Sequence, residues 1–375
     1  MNRVLFHVQH LLGIGHVRRA AVLARTLAAS GFDVLLVSGG APLKLDLGRA
    51  RFHQLPPVRA RDEGLRELCQ LDGAPLDDAF RADRRRVLLD LLAAERPDIV
   101  ITEQFPFGRT QLHFELLPLL EAARAMMPKP LIVSSVRDVV RRTARPERIA
   151  ETLGLLDDFD LVLIHADPRL ADFAKSFAGW DGIARRAVYT GYVGESVPAT
   201  RTQAGAGEVI VSVGGGAVGA PLLKAALGAR AASAAAERTW RLLLGDNLAD
   251  VDRAALPKAA GIVIERARSD FTTLLSNAAL SISQAGYNTV VETLCCADRA
   301  VLVPFATERE TEQNDRARML AERGMVAMVP ADELSAGSLA AAVDRALAGP
   351  SIRSFPPCDV RGAAATAELL QARLA

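Results

Sequence analysis

The sequence has few cysteines and no long apolar run. The first feature argues against zinc-binding and disulfide-rich proteins, and the second argues against membrane-spanning proteins. Its four cysteines, Cys69, Cys295, Cys296 and Cys358, form no CxxC pair and no cluster with histidine. Neither a zinc site nor a disulfide scaffold is therefore indicated. No apolar stretch is long enough to cross a bilayer, and the opening residues enter a strand-like run without the apolar segment of a signal peptide. These absences predict a cytoplasmic protein.

An excess of charge of either sign is also missing. The chain has 45 basic and 44 acidic side chains, a formal net charge of +1. A nucleic-acid-binding protein needs a concentrated basic face, so we expect no nucleic-acid partner. With 50% hydrophobic and 24% charged residues, the composition is that of a soluble globular protein, and 375 residues suffice for two domains with separate cores.

Short β-branched apolar runs alternate with longer stretches of helical spacing, such as Val17–Ser30. This alternation is typical of βα units around parallel sheets. The charge-rich stretch Arg51–Arg86 fits the pattern least well. The predicted strands are Arg3–Gln9, Asp33–Ser38, Asp98–Thr102, Leu131–Val136, Leu161–Ala166, Ala187–Tyr192, Glu208–Gly214, Trp240–Gly245, Gly261–Arg266, Leu280–Gln284, Ala300–Phe305 and Met325–Val329.

The segment Val197–Gly207 divides the chain, because it is poor in large apolar residues and rich in helix and strand breakers. We therefore predict an α/β fold of two facing Rossmann-like, doubly wound domains, over 1–196 and 208–350, joined by a linker over 197–207. Residues 351–375 are predicted to form a C-terminal tail and helix. Ligands of such sheets bind at the carboxyl ends of the strands, so a cleft between the halves is the expected site.

Glycines mark three predicted strand-to-helix junctions: Gly13 and Gly15, Gly214–Gly216, and Gly286. Backbone N–H groups at such turns, together with the positive end of the following helix, suit a phosphate group. A single cluster of this kind more often marks a tight turn than a ligand site. None matches GxGxxG with an acidic residue about twenty positions on, and no Walker lysine is present, which disfavours nicotinamide enzymes and P-loop ATPases.

The stretch Ser281–Leu320 carries a more specific signal. It reads Ser-Gln-Ala-Gly-Tyr-Asn-Thr-Val-Val-Glu, then Val-Pro-Phe, then Glu-Gln-Asn-Asp-Arg-Ala. This order resembles the donor-binding signature of UDP-sugar glycosyltransferases of the GT-B fold, both the plant enzymes and the bacterial enzymes that glycosylate lipid I. The resemblance implies that Gly286, Asn288 and Thr289 hold the donor diphosphate and that Glu292 holds the ribose.

The same resemblance implies further donor contacts in the second half of the chain. Glu312 and Gln313 would hold the hexose hydroxyls, and Gly214, Gly215 and Gly216 would touch the phosphates from the other side. Uracil would lie against the backbone of Arg266–Arg268, at Ala267. Gln284 stands where many relatives have a phosphate-contacting histidine, and the segment between Phe305 and Glu312 is longer than in the plant enzymes. Both departures leave open which sugar the donor carries, and neither affects the predicted nucleotide site.

His16 stands where this superfamily places the histidine that deprotonates the acceptor, next to the glycine-rich turn of Gly13 and Gly15. Its ordinary pKa lies near neutrality, so it can accept a proton if a partner fixes its tautomer. Glu103 ends the segment that resembles the strand bearing the acidic partner in the plant enzymes. The resemblance thus implies a His16–Glu103 dyad, an inverting transfer to an acceptor hydroxyl, and neither a bound metal nor a cofactor besides the nucleotide sugar. A helix-capping histidine and a surface carboxylate are the alternatives.

Three other functions remain open. Gly13–Arg19 also resembles the GxGHxxR segment of a bacterial UDP-sugar hydrolase, in which the histidine would activate water. A sugar-nucleotide epimerase shares the fold, and a non-catalytic nucleotide-sugar-binding protein would need no base. The acceptor stays unidentified. A basic stretch could meet an anionic acceptor or, through peripheral contact, a membrane, although a solvated helix face would explain the same residues: Arg137, Arg141, Arg142, Arg145 and Arg148.

Overall fold

The computed structural model describes residues 1–11, 13–61, 67–143, 145–194, 202–213, 219–245, 259–306 and 311–375. The chain divides into two compact units. The first comprises Met1–Gly194 together with Asp359–Ala375, and the second comprises Glu195–Cys358. Residues 197–201 of the predicted linker lie outside the described residues, and the last seventeen residues are part of the first unit.

The first unit is built on a seven-stranded, wholly parallel sheet with the order β3-β2-β1-β6-β7-β8-β9. A separate antiparallel hairpin, β4 with β5, lies in the charge-rich stretch that the sequence left unassigned. The strands of the unit are β1 (Arg3–Val8), β2 (Asp33–Ser38), β3 (Arg51–Gln54), β4 (Val58–Ala60), β5 (Leu68–Gln70), β6 (Ile99–Glu103), β7 (Leu131–Arg137), β8 (Leu161–His165) and β9 (Ala187–Tyr189).

The first helix of this unit buries one apolar face in the core that it shares with the sheet. In α1 the buried positions include Val17, Ala20, Leu23 and Leu27, a spacing of three and four residues that keeps them on one side of the helix. Asp77 caps α2, since its carboxylate accepts a hydrogen bond of 2.8 Å from the backbone N–H of Phe80. The helices are α1 (Gly15–Ala29), α2 (Asp78–Glu95), α3 (His113–Ala125), α4 (Pro146–Leu156) and α5 (Trp180–Ile183).

The second unit has a six-stranded parallel sheet with the order β12-β11-β10-β13-β14-β15. Its core includes Trp240, which is fully buried and donates from Nε1 to the carbonyl of Ala235 at 3.1 Å. The elements are β10 (Val209–Ser212), α6 (Ala220–Ala231), β11 (Trp240–Leu244), β12 (Ile262–Arg266), α7 (Phe271–Asn277), β13 (Leu280–Ser283), α8 (Tyr287–Cys296), β14 (Ala300–Leu302), α9 (Glu312–Glu322), β15 (Ala327–Met328) and α10 (Ala336–Ala348).

The terminal helix α11 (Gly362–Leu374) packs within the first unit. Its residues Ala363, Ala367 and Leu370 join the apolar core formed by β1 and α1. The side chain of Gln371 donates to the carbonyl of Ser30, at the end of α1, at 2.8 Å. The predicted tail and helix, 351–375, is therefore divided: residues 351–358 belong to the second unit, and Asp359–Ala375, with the helix, belongs to the first.

The predicted α/β fold of two doubly wound sheets is confirmed, and each of the twelve predicted strand positions carries a strand. Strand order reverses beside the first strand of each sheet, between β1 and β6 and between β10 and β13. In open α/β sheets ligands bind at the carboxyl ends of strands at such a reversal. In the part of the chain that the structure describes, no helix is long and apolar enough to span a membrane.

Candidate functional site

His16 and Glu103 are brought together at the point where the strand order of the first sheet reverses. His16 lies in the first turn of α1, and Glu103 is the last residue of β6, which pairs directly with β1. Nδ1 of His16 lies 2.9 Å from Oε1 of Glu103. No hydrogen bond to Nε2 of His16 is found among the described residues, so this nitrogen keeps its lone pair available when Nδ1 carries the proton.

Glu103 is buried, with 1% of its surface exposed, and its two oxygens have different partners. The guanidinium of Arg19, from the next turn of α1, donates to Oε1 beside His16. The hydroxyl of Ser135 on β7 donates to Oε2 at 2.8 Å. Sequence reasoning quoted Arg19 only as the arginine of the GxGHxxR segment, without a role. It did not single out Ser135, although the predicted strands would have placed this residue near the carboxyl end of the adjacent strand.

The electrostatic surroundings hold His16 in its neutral form. Burial lowers the pKa of His16 well below 6.5, and the cationic side chains of Arg137, Arg109 and Arg19 lower it further. Burial raises the pKa of Glu103, against the opposing effect of the Arg19 guanidinium. A neutral imidazole at physiological pH is the form that can accept a proton.

The turn between β1 and α1 contains Gly13 and Gly15. A side-chain carbon added to Gly13 would meet no atom within 4 Å, so internal packing does not require glycine there. The neighbouring His10 is 4% exposed, and burial together with the charge of Arg109 lowers its pKa to about 4. Arg109 itself donates from Nε to the carbonyl of Gln9 at 2.9 Å.

In the second unit, the loop after β13 carries the predicted diphosphate residues. Gly286 is the N-cap of α8 in an extended conformation, with φ −63° and ψ 146°, and its carbonyl accepts the first helical hydrogen bond, from Val290 at 2.9 Å. An added side-chain carbon at Gly286 would meet nothing within 4 Å. Gln284, Asn288 and Thr289 are half-buried around the same helix start.

Glu292 lies one helical turn after Asn288, on the same face of α8, and is half-buried. Glu312 and Gln313 occupy the first turn of α9, with Glu312 6% exposed. The side-chain oxygen of Gln313 accepts a hydrogen bond of 3.0 Å from the backbone N–H of Phe305. That contact leaves the amide nitrogen of Gln313 as the group suited to donating to a ligand.

Arg316 is a site residue that sequence reasoning quoted but did not interpret. It is 1% exposed, donates from Nη1 to the carbonyl of Ala285 at 2.7 Å, and lies over the ring of Tyr287 at 5.9 Å. The guanidinium thus fixes the loop on either side of Gly286 and places a buried positive charge beneath it. Its spacing of four residues from Glu312 puts both side chains on one face of α9, which is the signal that could have revealed it.

Two further donor contacts are predicted, one to uracil at Ala267 and one to the phosphates at Gly214–Gly216. Ala267 is exposed and follows β12, and its backbone N–H donates to the carbonyl of Leu244 at 2.9 Å, which leaves its carbonyl for a base. Gly214, Gly215 and Gly216 lie outside the described residues. Over the described ranges, no group of three or more His, Cys, Asp or Glu side chains could hold a metal ion.

Comparison with known proteins connects this arrangement to sugar transfer. Residues 210–354 match the glycosyltransferase family 28 C-terminal domain. The UDP-N-acetylglucosamine--N-acetylmuramyl-(pentapeptide) pyrophosphoryl-undecaprenol N-acetylglucosamine transferase of Thiobacillus denitrificans is 27% identical over 346 residues, covering 88% of this chain and 87% of that protein.

Solved structures share the fold over the whole length. The calicheamicin glycosyltransferase CalG4 superposes with a TM-score of 0.65 at 16% identity, covering 100% of this chain and 98% of that one. MurG of Acinetobacter baumannii gives a TM-score of 0.59 at 18% identity, covering 99% of each chain. At these identities the structural likeness concerns the fold alone.

Proposed function

We propose that this chain is a nucleotide-sugar glycosyltransferase of the GT-B fold that transfers a hexose from a UDP-sugar to an acceptor hydroxyl with inversion. The observation that carries the proposal is the 2.9 Å contact between Nδ1 of His16 and the buried carboxylate of Glu103. This contact fixes the tautomer in which Nε2 can accept a proton.

In the first unit, His16 is the general base. Its lowered pKa keeps the imidazole neutral, and Nε2 takes the proton of the acceptor hydroxyl as that oxygen attacks the anomeric carbon. The bond from the anomeric carbon to the diphosphate oxygen breaks in the same in-line step, so the configuration inverts. Glu103 stabilises the imidazolium that forms, as a buried carboxylate beside a catalytic histidine does.

In the second unit, Gly286, Asn288 and Thr289 bind the diphosphate and Glu292 binds the ribose hydroxyls. Two features support this assignment: α8 begins directly after Gly286, so the positive end of the helix lies at this loop, and the guanidinium of Arg316 adds positive charge next to it. Both stabilise the negative charge that develops on the leaving diphosphate. We propose that this charge stabilisation suffices without a metal ion.

The acceptor is proposed to be an anionic, lipid-linked sugar. The Thiobacillus denitrificans relative is named for an acceptor that carries a pyrophosphoryl-undecaprenol group. Arg109 and Arg137 lie close enough to His16 to depress its pKa, so a cationic environment surrounds the proposed base. An acceptor with a phosphate near its reacting hydroxyl would complement these charges.

The test combines nucleotide binding with product analysis. Calorimetry in EDTA is expected to detect UDP binding. Tighter binding of another nucleoside diphosphate would contradict the choice of uracil as the nucleobase. Incubation of the UDP-sugar with lipid-pyrophosphate sugars and neutral glycosides is expected to accelerate UDP release only with the anionic acceptor. Release of free sugar at the same rate with and without acceptors would instead indicate the hydrolase.

A further inference from the structure

The hydrogen bonds of Glu103 continue into the interior of the first unit. Oγ of Ser135, which bonds Oε2 of Glu103, also lies 3.0 Å from Nε2 of His165, the last residue of β8. Nδ1 of His165 lies 2.8 Å from Oγ1 of Thr190. Ser135, His165 and Thr190 are at most 4% exposed. A continuous chain of polar side chains therefore runs from His16 to the far side of β8.

The protons of these hydrogen-bonded side chains can be placed in two self-consistent arrangements. If Glu103 is ionised, Ser135 donates its single proton to Glu103 and must accept from Nε2–H of His165, and Thr190 donates to Nδ1. If Glu103 is protonated on Oε2, every bond reverses. His165 then donates from Nδ1 to Thr190, whose hydroxyl turns to the carbonyl of Gly191 at 3.2 Å.

His165 can serve either arrangement only as a neutral ring, because each arrangement needs one donor and one acceptor nitrogen. Burial supplies this condition, since it lowers the pKa of His165 well below 6.5. Burial raises the pKa of Glu103, and three cationic side chains oppose that rise and favour the ionised arrangement: Arg19 of α1, Arg109 after β6 and Arg137 of β7. The titratable His10 and His16, after β1, face the same end and are held neutral by their lowered pKa values.

We propose that Ser135 and His165 are positioning residues that hold Glu103 ionised and aligned on Nδ1 of His16. The proposal rests on His16 being the base of the proposed function. The neutral ring of His165 fixes the direction of the Ser135 hydroxyl, the hydroxyl holds Oε2, and the carboxylate then presents Oε1 to His16. We call Glu103, Ser135, His165 and Thr190 the relay. The relay sets the pH at which the His16–Glu103 pair takes up its first proton.

The neighbouring serine shows what a purely structural hydroxyl looks like on the same strand. Ser134 is fully buried on β7, and its hydroxyl donates to the carbonyl of Phe105 at 2.7 Å. It therefore satisfies a backbone group and takes no part in the chain from His16 to Thr190. Ser134→Ala is the matched control, because it removes an equally buried hydroxyl one residue away.

The experiment records the pH dependence of kcat/KM for four variants. Ser135→Ala removes a hydrogen bond to the anion, so its acidic limb is expected to rise by about one pH unit. Ser135→Thr keeps the hydroxyl and should restore the wild-type limb, and Ser134→Ala should leave it in place. Glu103→Gln deletes a proton acceptor of the pair, so its limb should move the opposite way, to lower pH. Equal shifts for Ser134→Ala and Ser135→Ala would overturn the relay.

Nitrogen-15 NMR of the labelled histidines tests the relay in the resting protein, without turnover. At neutral pH the relay requires His165 to carry its proton on Nε2 and His16 to carry its proton on Nδ1. Ser135→Ala should abolish the preference at His165, and Ser134→Ala should preserve it. A proton on Nδ1 of His165 in the wild type would contradict the relay. Correct tautomers in a protein that transfers no sugar would instead reject the proposed function.

Discussion

At the scale of single residues, His16 and Glu103 lie 87 positions apart in the sequence and yet share a hydrogen bond. Parallel pairing of β1 with β6 accounts for the contact, because it places the turn after one strand beside the end of the other. Around the pair, burial and the charges of Arg19, Arg109 and Arg137 act in the same direction on His16 and keep it neutral.

We expect His16→Ala to reduce kcat by about 10²–10⁴-fold, the usual contribution of general-base catalysis. Donor affinity should stay nearly constant, since most of the proposed donor residues lie in the other unit. The double variant His16→Ala, Glu103→Gln should be little slower than His16→Ala alone, because a positioning partner has no effect once its base is absent. The check is a comparison of the steady-state kinetics of the wild type, His16→Ala, Glu103→Gln and the double variant. Fully additive losses of kcat would show that the two residues act separately.

His10 provides a prediction about stability and pH. Its pKa is about 4 in the folded protein and 6.5 in the unfolded chain, so only the unfolded chain takes up the proton between these values. The free energy of unfolding should therefore fall as pH falls, and His10 should account for about 1.5 kcal/mol of the loss between pH 6.5 and 5. Urea titrations of wild type and His10→Gln should show a flatter decline in the variant; parallel declines would refute the assignment.

At the scale of elements, the start of α8 has a glycine that neither its conformation nor its packing explains. Gly286 has a negative φ, and the space beside it is open. Glycine is acceptable at an N-cap, and it also permits the close approach of a ligand, which accords with the proposed diphosphate contact.

Gly286→Asn is expected to leave stability almost unchanged, because asparagine is a favourable N-cap. Its side chain should fill the space proposed for the diphosphate and weaken UDP binding at least tenfold in calorimetry. Gly337→Asn on α10 is the matched control, since space beside Gly337 is equally open. A Gly286→Asn protein that is stable and binds UDP normally would remove this loop from the donor site.

The helices α8 and α9 are predicted to divide the donor between them. Glu292→Ala should weaken UDP binding by roughly 1–3 kcal/mol, the cost of losing hydrogen bonds to a charged group. Gln313→Ala should leave UDP affinity nearly unchanged and weaken binding of the intact UDP-sugar. Competition calorimetry with both ligands separates the two effects, and equal losses on mutating Gln313 would reject its assignment to the sugar.

Sequence reasoning predicted these elements because periodicity and strand-end glycines are local signals. It missed β3 and the β4–β5 hairpin, which are only three or four residues long and are set by their strand partners. It also missed Ser135 and His165 in the first unit and the role of Arg316 in the second. Their significance depends on contacts with residues at least 30 positions away, which no local pattern reports.

At the scale of the whole molecule, the chain enters the second unit once and ends in the first. The antiparallel bridge between Val193 and Arg361 joins the last residues before the second unit to the first residues after it. The sequence predicted the terminal helix but not its location, because its small apolar face of alanines and one leucine would fit many partners. Tertiary packing on α1 decides the location.

The central claim is that His16 activates an acceptor for inverting transfer, and the anomeric configuration of the product tests it most directly. NMR of the product formed from a UDP-sugar and a lipid-pyrophosphate acceptor should show the anomeric configuration opposite to that of the donor. His16→Ala should suppress its formation, whereas His53→Gln, a substitution on β3, should not. A product with the donor's configuration, or undiminished formation by His16→Ala, would contradict the account.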